Sequence, residues 1–258
     1  MHLNMRPTTV LPKAASASKV QVLQRGRGSM QIIWLGHGSF RIEIGDQVLL
    51  IDPWLTGNPM LAEDQHAAAT TGATHILITH GHFDHTADVV ALSKSLEAPV
   101  VGIYDFMSYF EAKEGLSVVG FNMGGTVTLG DVAVSLVPAL HSTSYGPDAT
   151  APLGREAGFI IKGERYTVYV SGDTGISAEM DWIGDYYKPD IGILSAGGHF
   201  TMDMKGAAYA AKRYFDFKTV IPCHYKTFDL LEQSATDLID ALPDVDVIEP
   251  QVMTPIRF

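Results

Sequence analysis

Cysteine is almost absent from this chain of 258 residues, in which Cys223 is the single example. One thiol cannot form an internal disulfide, and it cannot build the zinc modules that need several cysteines. The sequence therefore favours a reducing compartment, and we expect a cytoplasmic protein. Because Cys223 adjoins His224 in a predicted strand, its side chain should point away from its neighbour's and serve as a small core residue.

Long apolar runs are also missing. Stretches such as "HILIT" and residues 89–104 are interrupted by polar residues well before the roughly 20 apolar residues that a membrane-spanning helix requires. The chain is nevertheless 46% hydrophobic and 18% charged, with a mean hydropathy of +0.10, which is too apolar for a disordered protein. We expect a soluble globular protein with no membrane span.

Basic residues are scarce outside the N-terminal segment. Residues 1–29 contain five of the 18 Lys and Arg and none of the 29 Asp and Glu, so the rest of the chain is strongly acidic. An acidic surface repels a nucleic-acid backbone, and no basic cluster follows residue 29. The sequence therefore predicts a small-molecule substrate and no nucleic-acid partner. The sequence is also compatible with a homo-oligomer, but no pattern in it specifies one.

The N-terminal segment differs from the rest in pattern as well as charge. It is rich in Ser and Ala, which is typical of a transit peptide, but a mis-assigned start codon or an expression-vector remnant fits equally well. The periodic pattern begins at Met30. We expect residues 1–29 to lie outside the fold and 30–258 to form one domain. A transit peptide would place the protein in an organelle.

Short strands and helices alternate from Met30 onward, which is typical of an α/β fold. "QIIWL", "SFRIEI" and "QVLLID" predict three strands joined by tight turns, and residues 126–139 and 158–172 predict two hairpins. A helix is expected after residue 85, capped by Thr86 and stopped by Pro99, and another over 203–215.

The segment "THGHFDHT", residues 79–86, concentrates three histidines and an aspartate in six positions. A buried ring nitrogen without a partner costs about 1–3 kcal/mol, so packing alone does not favour this cluster. His80 and His82 lie two apart in an extended segment and could hold one ion, while Asp84 and His85 could reach a second. Imidazole and carboxylate groups are suitable ligands for Zn²⁺, Mn²⁺ or Fe²⁺.

Three further candidate ligands also follow predicted strands. They are His141, Asp173 in "SGDTG" and His224. Taken singly, each has an ordinary explanation, because aspartates stabilise turns and structural histidines are common at strand ends. Loops at the ends of sheet strands are nevertheless where binding sites are built, and all four loops present metal ligands.

These motifs resemble the metallo-β-lactamase superfamily. The resemblance rests on HxHxDH at 80–85 after an apolar strand, followed by His141, Asp173 and His224. "WLGHGSFRIE", "DPWLTGNP", "GGHFTMD" and "IPCHYKTF" are similar to small stand-alone metal-dependent hydrolases related to L-ascorbate-6-phosphate lactonase. The resemblance covers about residues 30–258.

The resemblance implies a four-layer αββα sandwich with the site at one edge between two central sheets. It also implies a dinuclear metal centre, with zinc as the expected metal and Mn, Fe or Ni as alternatives. Carried over by position, the first ion would be held by His80, His82 and His141. The second would be held by Asp84, His85 and His224, with Asp173 bridging both.

The implied activity is that of a dinuclear metal-dependent hydrolase. A hydroxide bridging the two ions would attack a lactone, an ester or a phosphoester of a small soluble substrate. Asp173 would accept the proton of the water, and we expect Asp84 to be a catalytic residue as well. His199 and Tyr225 follow predicted ligand loops, so we expect them to donate hydrogen bonds to the reacting oxygen. His37 in "GHGS" is expected to form a hydrogen bond with a metal-ligating side chain and not to bind a metal itself.

Two other functions remain open. One is a phosphodiesterase acting on a lipid or a nucleotide, and the other is a catalytically silent metal-binding regulator. Residues 174–223 are too short for the inserted nuclease domain of nucleic-acid-processing relatives. Residues 225–258 leave little room for the C-terminal helical domain of glyoxalase II enzymes. His82 stands where the oxygen-reducing relatives have glutamate, which disfavours redox chemistry.

Overall fold

The structure is a computed structural model that describes residues 29–146 and 153–258. The predicted leader, except for its last residue, lies outside the described residues. Two seven-stranded sheets form the centre of the molecule. One hydrophobic core draws side chains from both sheets, among them Leu35, Ile42, Val134 and Ile161.

The first sheet contains β14, β1, β2, β3, β4, β5 and β6 in that order. Its strands are β1 (Gln31–Gly36), β2 (Ser39–Ile44), β3 (Gln47–Ile51), β4 (His75–Leu77), β5 (Val100–Ile103), β6 (Val118–Phe121) and β14 (Pro255–Arg257). Strands β1 to β3 are antiparallel, whereas β3 to β6 are parallel. The three strands predicted at the start of the domain are confirmed.

The second sheet contains β13, β12, β11, β10, β9, β8 and β7 in that order. Its strands are β7 (Thr126–Leu129), β8 (Val132–Pro138), β9 (Ala157–Gly163), β10 (Tyr166–Val170), β11 (Ile191–Ser195), β12 (Thr219–Cys223) and β13 (Asp246–Val247). Both predicted hairpins are present, as β7–β8 and β9–β10. Strands β8 to β13 repeat the pairing pattern of β1 to β6, two antiparallel pairs followed by three parallel pairs.

Helices cover the sheets and connect the parallel strands. They are α1 (His66–Thr70), α2 (Phe83–Thr86), α3 (Val89–Leu96), α4 (Tyr104–Glu114), α5 (Glu179–Tyr187), α6 (Met204–Tyr214) and α7 (Thr236–Ala241), with a 3-10 turn at Glu63–Gln65. Helix α4 packs on β5 and β6, whereas α6 packs on β11 and lies beside α5 and α7. This is the αββα sandwich that the resemblance implied. In the described ranges, no helix combines the length and apolar character that crossing a membrane requires.

The helix expected after residue 85 differs from the prediction. Two helices occupy this region, and Thr86 ends the first instead of capping the second. The Thr86 hydroxyl donates to the His82 carbonyl oxygen at 2.9 Å, so it is already used within the histidine loop. Asp88 occupies the N-cap position of α3, but its carboxylate binds a neighbouring loop instead of the helix. The helix expected over 203–215 is present as α6, capped by Asp203.

Candidate metal centre

Three strands that run in the same direction within each sheet deliver the site residues to one edge of the sandwich. In the first sheet, β1 is followed by His37, β3 by Asp52 and β4 by the histidine loop. In the second sheet, β8, β10 and β12 lead to the other candidate ligands, which are His141, Asp173 and His224. Clefts beyond the carboxyl ends of strands are where α/β folds bind their ligands.

Three of these strand ends have a left-handed backbone. The φ angles are 53° at His37, 44° at Asp52 and 60° at His224. A non-glycine residue in this region costs about 1–3 kcal/mol and persists when the surrounding structure enforces it. Here the enforcement includes a hydrogen bond from the His224 backbone N–H to the His37 carbonyl oxygen, 2.9 Å long. The two strained turns therefore hold each other across the two sheets.

Asp173 lies at the centre of the site. Its Oδ2 atom is 3.0 Å from His224 Nε2 and 3.4 Å from His85 Nε2. The same oxygen lies 3.6 Å from His141 Nε2 and 3.9 Å from His80 Nε2. One buried carboxylate oxygen thus faces four imidazoles, two from each of the ligand groups expected from the sequence.

The first group consists of His80, His82 and His141. Their ligand atoms lie within 4.8 Å of one another, and His80 Nε2 is 2.9 Å from His82 Nδ1. Burial lowers the pKa of all three histidines, and the neighbouring imidazoles lower it further. Neutral imidazole is the form that binds a metal, so this group is ready to act as a ligand set at neutral pH.

The second group contains Asp84, His85 and His224, with His37 beside them, and their ligand atoms also lie within 4.8 Å of one another. Burial alone would lower the pKa of His224, but Asp173 and Asp84 outweigh it and raise the pKa to about 9. The carboxylates of Asp173, Asp84 and Asp52 likewise raise the pKa of His85 well above its usual range, against its burial. In the metal-free protein, protons on His85 and His224 therefore balance the carboxylates.

His37 is fully buried and uses both ring nitrogens in hydrogen bonds. Nε2 lies 2.8 Å from Asp84 Oδ2, and Nδ1 lies 2.8 Å from Thr227 Oγ1. Burial lowers the pKa of His37 to about 4, so the ring is neutral and carries a single proton. Because the carboxylate can only accept, that proton is on Nε2, and Thr227 donates to Nδ1. His37 thus orients Asp84.

A second chain of hydrogen bonds orients His85 and His80. Asp52 Oδ2 accepts from His85 Nδ1 at 2.9 Å and from the Thr79 hydroxyl at 2.6 Å. Since the Thr79 proton is used on Asp52, the contact of 3.0 Å between Thr79 Oγ1 and His80 Nδ1 places the His80 proton on Nδ1. Both histidines consequently present Nε2 lone pairs to the site when neutral, as carboxylate–histidine–metal arrangements do.

Asp52 was missed by the sequence reasoning, although a signal was present. "VLLID" is an apolar strand that ends in an acidic residue, which is the pattern that selected Asp173. Asp52 is almost completely buried, and its carboxylate also accepts from the Thr79 backbone N–H at 2.8 Å. Its role is visible only in the folded chain, since the pairing of β3 with β4 brings His85 to it.

The structure does not bring His199 and Tyr225 to the centre of the site. His199 is exposed and lines a separate shallow cavity, while the adjacent Phe200 lines the cavity at the ligand groups. Tyr225 is fully buried, stacked on Trp34 with 5.6 Å between ring centroids, and its hydroxyl donates to Glu249 at 3.4 Å. The expected donation from these two side chains to a reacting oxygen stays a prediction, and neither side chain lines the cavity at the ligand groups in this structure.

A cavity of about 930 Å³ opens onto the ligand groups. Its polar lining comes from the candidate ligands and from four hydroxyl-bearing residues: His82, Asp84, His141, Asp173 and His224, with Thr86, Ser142, Ser144 and Tyr145. Its apolar lining includes Phe83, Phe200, Phe228 and Leu230. The volume is within the range of cavities that hold a small organic ligand.

Fold and site together define a metallohydrolase of the metallo-β-lactamase fold, and comparison with known proteins identifies the family. The family described as "Beta-lactamase superfamily domain" matches residues 47–225. A UPF0173 metal-dependent hydrolase of Ruegeria sp. is 67% identical over 229 residues, which are 88% of this chain and 100% of that protein. The chain therefore belongs to the metallo-β-lactamase superfamily and, within it, to the UPF0173 metal-dependent hydrolases.

Solved structures agree with this assignment. Igni18, a metallo hydrolase from Ignicoccus hospitalis, superposes with a TM-score of 0.78 at 29% identity and covers 89% of this chain and 98% of its own. The metallo-beta-lactamase fold protein YhfI from Bacillus subtilis gives a TM-score of 0.68 at 14% identity, covering 90% of this chain and 100% of its own. At that identity, the second likeness is evidence for the fold alone.

Proposed function

We propose that this protein uses two divalent metal ions to hydrolyse a lactone, an ester or a phosphoester of a small substrate. Its UPF0173 relatives are named as metal-dependent hydrolases, which supports the reaction class. The number of ions, their identity as zinc and the residues that hold them are our proposals from the arrangement of the side chains.

The observation that carries the proposal is a set of buried nitrogens without hydrogen-bond partners. Asp173 Oδ2 lies 3.0 Å from His224 Nε2 and 3.4 Å from His85 Nε2, but none of the described residues meets hydrogen-bond geometry at these two nitrogens or at His224 Nδ1. Buried polar atoms are normally satisfied, and leaving one unpaired costs about 1–3 kcal/mol. Because His85 Nε2 and His224 Nε2 surround the Asp173 carboxylate, a bound cation would satisfy the nitrogens and the oxygen together.

The donor set fits two borderline cations. We assign His80, His82 and His141 to the first ion, and Asp84, His85 and His224 to the second, with Asp173 between them. Nitrogen and carboxylate ligands without thiolate suit zinc, and also manganese, iron or nickel. Bound by these residues, such ions would activate a water molecule and would act as Lewis acids toward the carbonyl or phosphoryl oxygen of the substrate.

The protein's own groups hold this arrangement and handle charge. Asp52 and Thr79 fix the rings of His85 and His80, and His37 fixes Asp84. Burial raises the pKa of Asp173, but the charges of His224 and His85 outweigh it and hold that pKa well below its usual range. An ionised carboxylate can balance the cations, and we assign Asp173 as the acceptor of the proton from water.

Metal analysis of variants tests the assignment. We expect the purified wild-type protein to contain close to two divalent ions per chain, and His82→Ala and Asp173→Ala to contain fewer and to lose hydrolysis. His75→Ala is the matched control, since His75 contacts Gln47 and does not line the cavity. Activity is measured on a lactone, an aryl ester and bis(p-nitrophenyl) phosphate.

Full metal content in both ligand variants would overturn the residue assignment. Turnover of bis(p-nitrophenyl) phosphate without turnover of the lactone or the ester would favour the phosphodiesterase alternative. A fully metallated wild-type protein that hydrolyses none of the three would support the silent metal-binding regulator.

A further inference from the structure

The cavity beside the ligand groups has large apolar side chains and, among the described residues that line it, no Lys or Arg. Phe83, Phe200 and Leu230 are 65%, 51% and 54% exposed, and all three line the cavity. Large apolar side chains gathered at a concave surface mark a binding site, because a folded protein otherwise exposes them singly. The polar side chains of the lining are those of the candidate ligands, two serines, Thr86 and Tyr145.

Aromatic packing supports the apolar wall from behind. Trp54, which is buried, packs edge-on against Phe83 with ring centroids 5.6 Å apart and stacks on Phe228 at 6.0 Å. Phe228 also contacts the His37 ring at 5.6 Å. The wall is therefore continuous with the groups that orient Asp84, and a substrate lying on it would place its reactive group at the candidate metal centre.

The described lining of the cavity lacks the side chains that usually bind a second, anionic group of a substrate. Within the described part of the chain, none of the residues that line it is Lys or Arg. A phosphate or carboxylate group on the substrate, away from the reacting atoms, is normally held by such side chains or by helix N-termini. Away from the proposed ions and the candidate ligands, the described lining offers such a group no cationic side chain, and the whole chain has a net charge of −11.

We propose that the substrate is a neutral lactone or ester with an alkyl or aryl group, which packs on Phe83, Phe200, Phe228 and Leu230. This inference rests on the proposed hydrolase function and narrows its substrate class. In the reaction, the oxygen of water bonds to the carbonyl carbon and the acyl carbon–oxygen bond breaks. The proton of water passes to the departing oxygen, so a hydroxy acid, or an acid and an alcohol, forms without any redox partner.

Three lactones with the same ring size test the proposal on the metal-loaded protein. δ-Decanolactone carries an alkyl tail, glucono-δ-lactone is neutral but polar, and phosphorylated gluconolactone is anionic. We expect kcat/KM to be at least about tenfold higher for δ-decanolactone than for gluconolactone, the factor expected from burying about two methylene groups. The phosphorylated lactone should be the poorest substrate. The opposite order would overturn the inference and leave the hydrolase function intact.

Variants of the wall connect the preference to its residues. Phe200→Ala and Leu230→Ala should lower kcat/KM for δ-decanolactone several-fold and should lower kcat/KM for gluconolactone less. Leu230→Lys should raise kcat/KM for the phosphorylated lactone. Tyr186→Ala is the matched control, because Tyr186 is an aromatic residue that is 75% exposed on α5 and does not line the cavity. An unchanged ratio of δ-decanolactone to gluconolactone in both alanine variants would contradict the proposal.

A binding measurement separates this inference from the proposed function. The lactam analogues of δ-decanolactone and gluconolactone resist hydrolysis, and calorimetry gives their dissociation constants with the metal-loaded protein. Tighter binding of the alkyl lactam, weakened by Phe200→Ala, would support the apolar wall even if no lactone were hydrolysed, in which case only the proposed function would fail. Equal or weaker binding of the alkyl lactam would overturn the inference whether or not hydrolysis occurs.

Discussion

His37 illustrates how a single buried side chain connects the two sheets of this protein. Its ring forms hydrogen bonds with the Thr227 hydroxyl through one nitrogen and with Asp84 through the other. Its carbonyl oxygen accepts a hydrogen bond from the His224 backbone N–H. Because the partners of ligating carboxylates and histidines set their orientation, loss of such a partner typically lowers metal affinity 10- to 100-fold. If the proposed assignment holds, His37 should therefore affect the ion assigned to Asp84 more than the ion assigned to the first histidine group.

The variant His37→Asn tests this role. Asparagine tolerates the left-handed backbone at this position, so the substitution removes the reach of the ring without adding backbone strain. We expect about a 10- to 100-fold weaker affinity for the second ion, measured by chelator competition, and a nearly unchanged affinity for the first. Thr227→Val, which removes only the hydroxyl that hydrogen-bonds to His37, should have a smaller effect. Wild-type affinity at both sites in His37→Asn would refute the orienting role.

Asp88 fixes one element against another. It precedes α3, and its carboxylate accepts hydrogen bonds from the backbone N–H groups of Leu55 and Thr56 at 2.7 and 2.9 Å and from the Thr56 hydroxyl at 2.6 Å. This joins the loop after β3 to the helix that follows the histidine loop. The same loop carries Trp54, the residue behind the apolar wall.

Asp88→Ala should lower the free energy of unfolding by about 1–3 kcal/mol, because the partly buried N–H of Leu55 loses its acceptor. For a domain of this size, the melting temperature should fall by roughly 2–4 °C for each kcal/mol. Asp64→Ala, at an exposed acidic residue of the 3-10 turn, should stay within about 0.5 kcal/mol of wild type. Differential scanning calorimetry of the metal-loaded proteins makes the comparison, and equal melting temperatures for all three proteins would count against the contact.

At the scale of the whole molecule, the two ligand groups should respond differently to pH. The pKa values of His80, His82 and His141 are lowered, so these rings are neutral before a metal binds. The pKa of His224 is raised to about 9, and that of His85 is raised well above its usual range, so these rings are protonated at neutral pH. A metal at the second group must displace those protons.

The direction in which pH changes metal affinity follows from this difference in protonation. Below about pH 9, affinity for the second ion should rise about tenfold per pH unit for each proton displaced, while affinity for the first ion changes little. Titrations of the metal-free protein between about pH 6.5 and about pH 8.5 measure both constants. Calorimetry in two buffers of different ionisation enthalpy counts the protons released. The same pH slope for both ions would contradict the asymmetry.

The residues of the histidine loop and the strands before it were predictable from the sequence, because both depend on local patterns. A short apolar strand specifies where a loop begins, and HxHxDH has few purposes other than metal binding. His141, Asp173 and His224 were identified because each follows a strand that local periodicity also predicts. The αββα architecture came from the resemblance to a family, since periodicity alone does not determine how two sheets pack.

Tertiary structure decided which strand-end residues face the same space. Asp52 meets His85, and His37 meets Asp84, through contacts between residues 33 and 47 positions apart. His199 and Tyr225 occupy equally suggestive positions in the sequence, yet the packing of Phe200 into the cavity and of Tyr225 onto Trp34 turns both side chains elsewhere. Local propensity fixes where a strand stops, whereas the direction of a side chain beyond it depends on the burial of its neighbours, which only the folded chain determines.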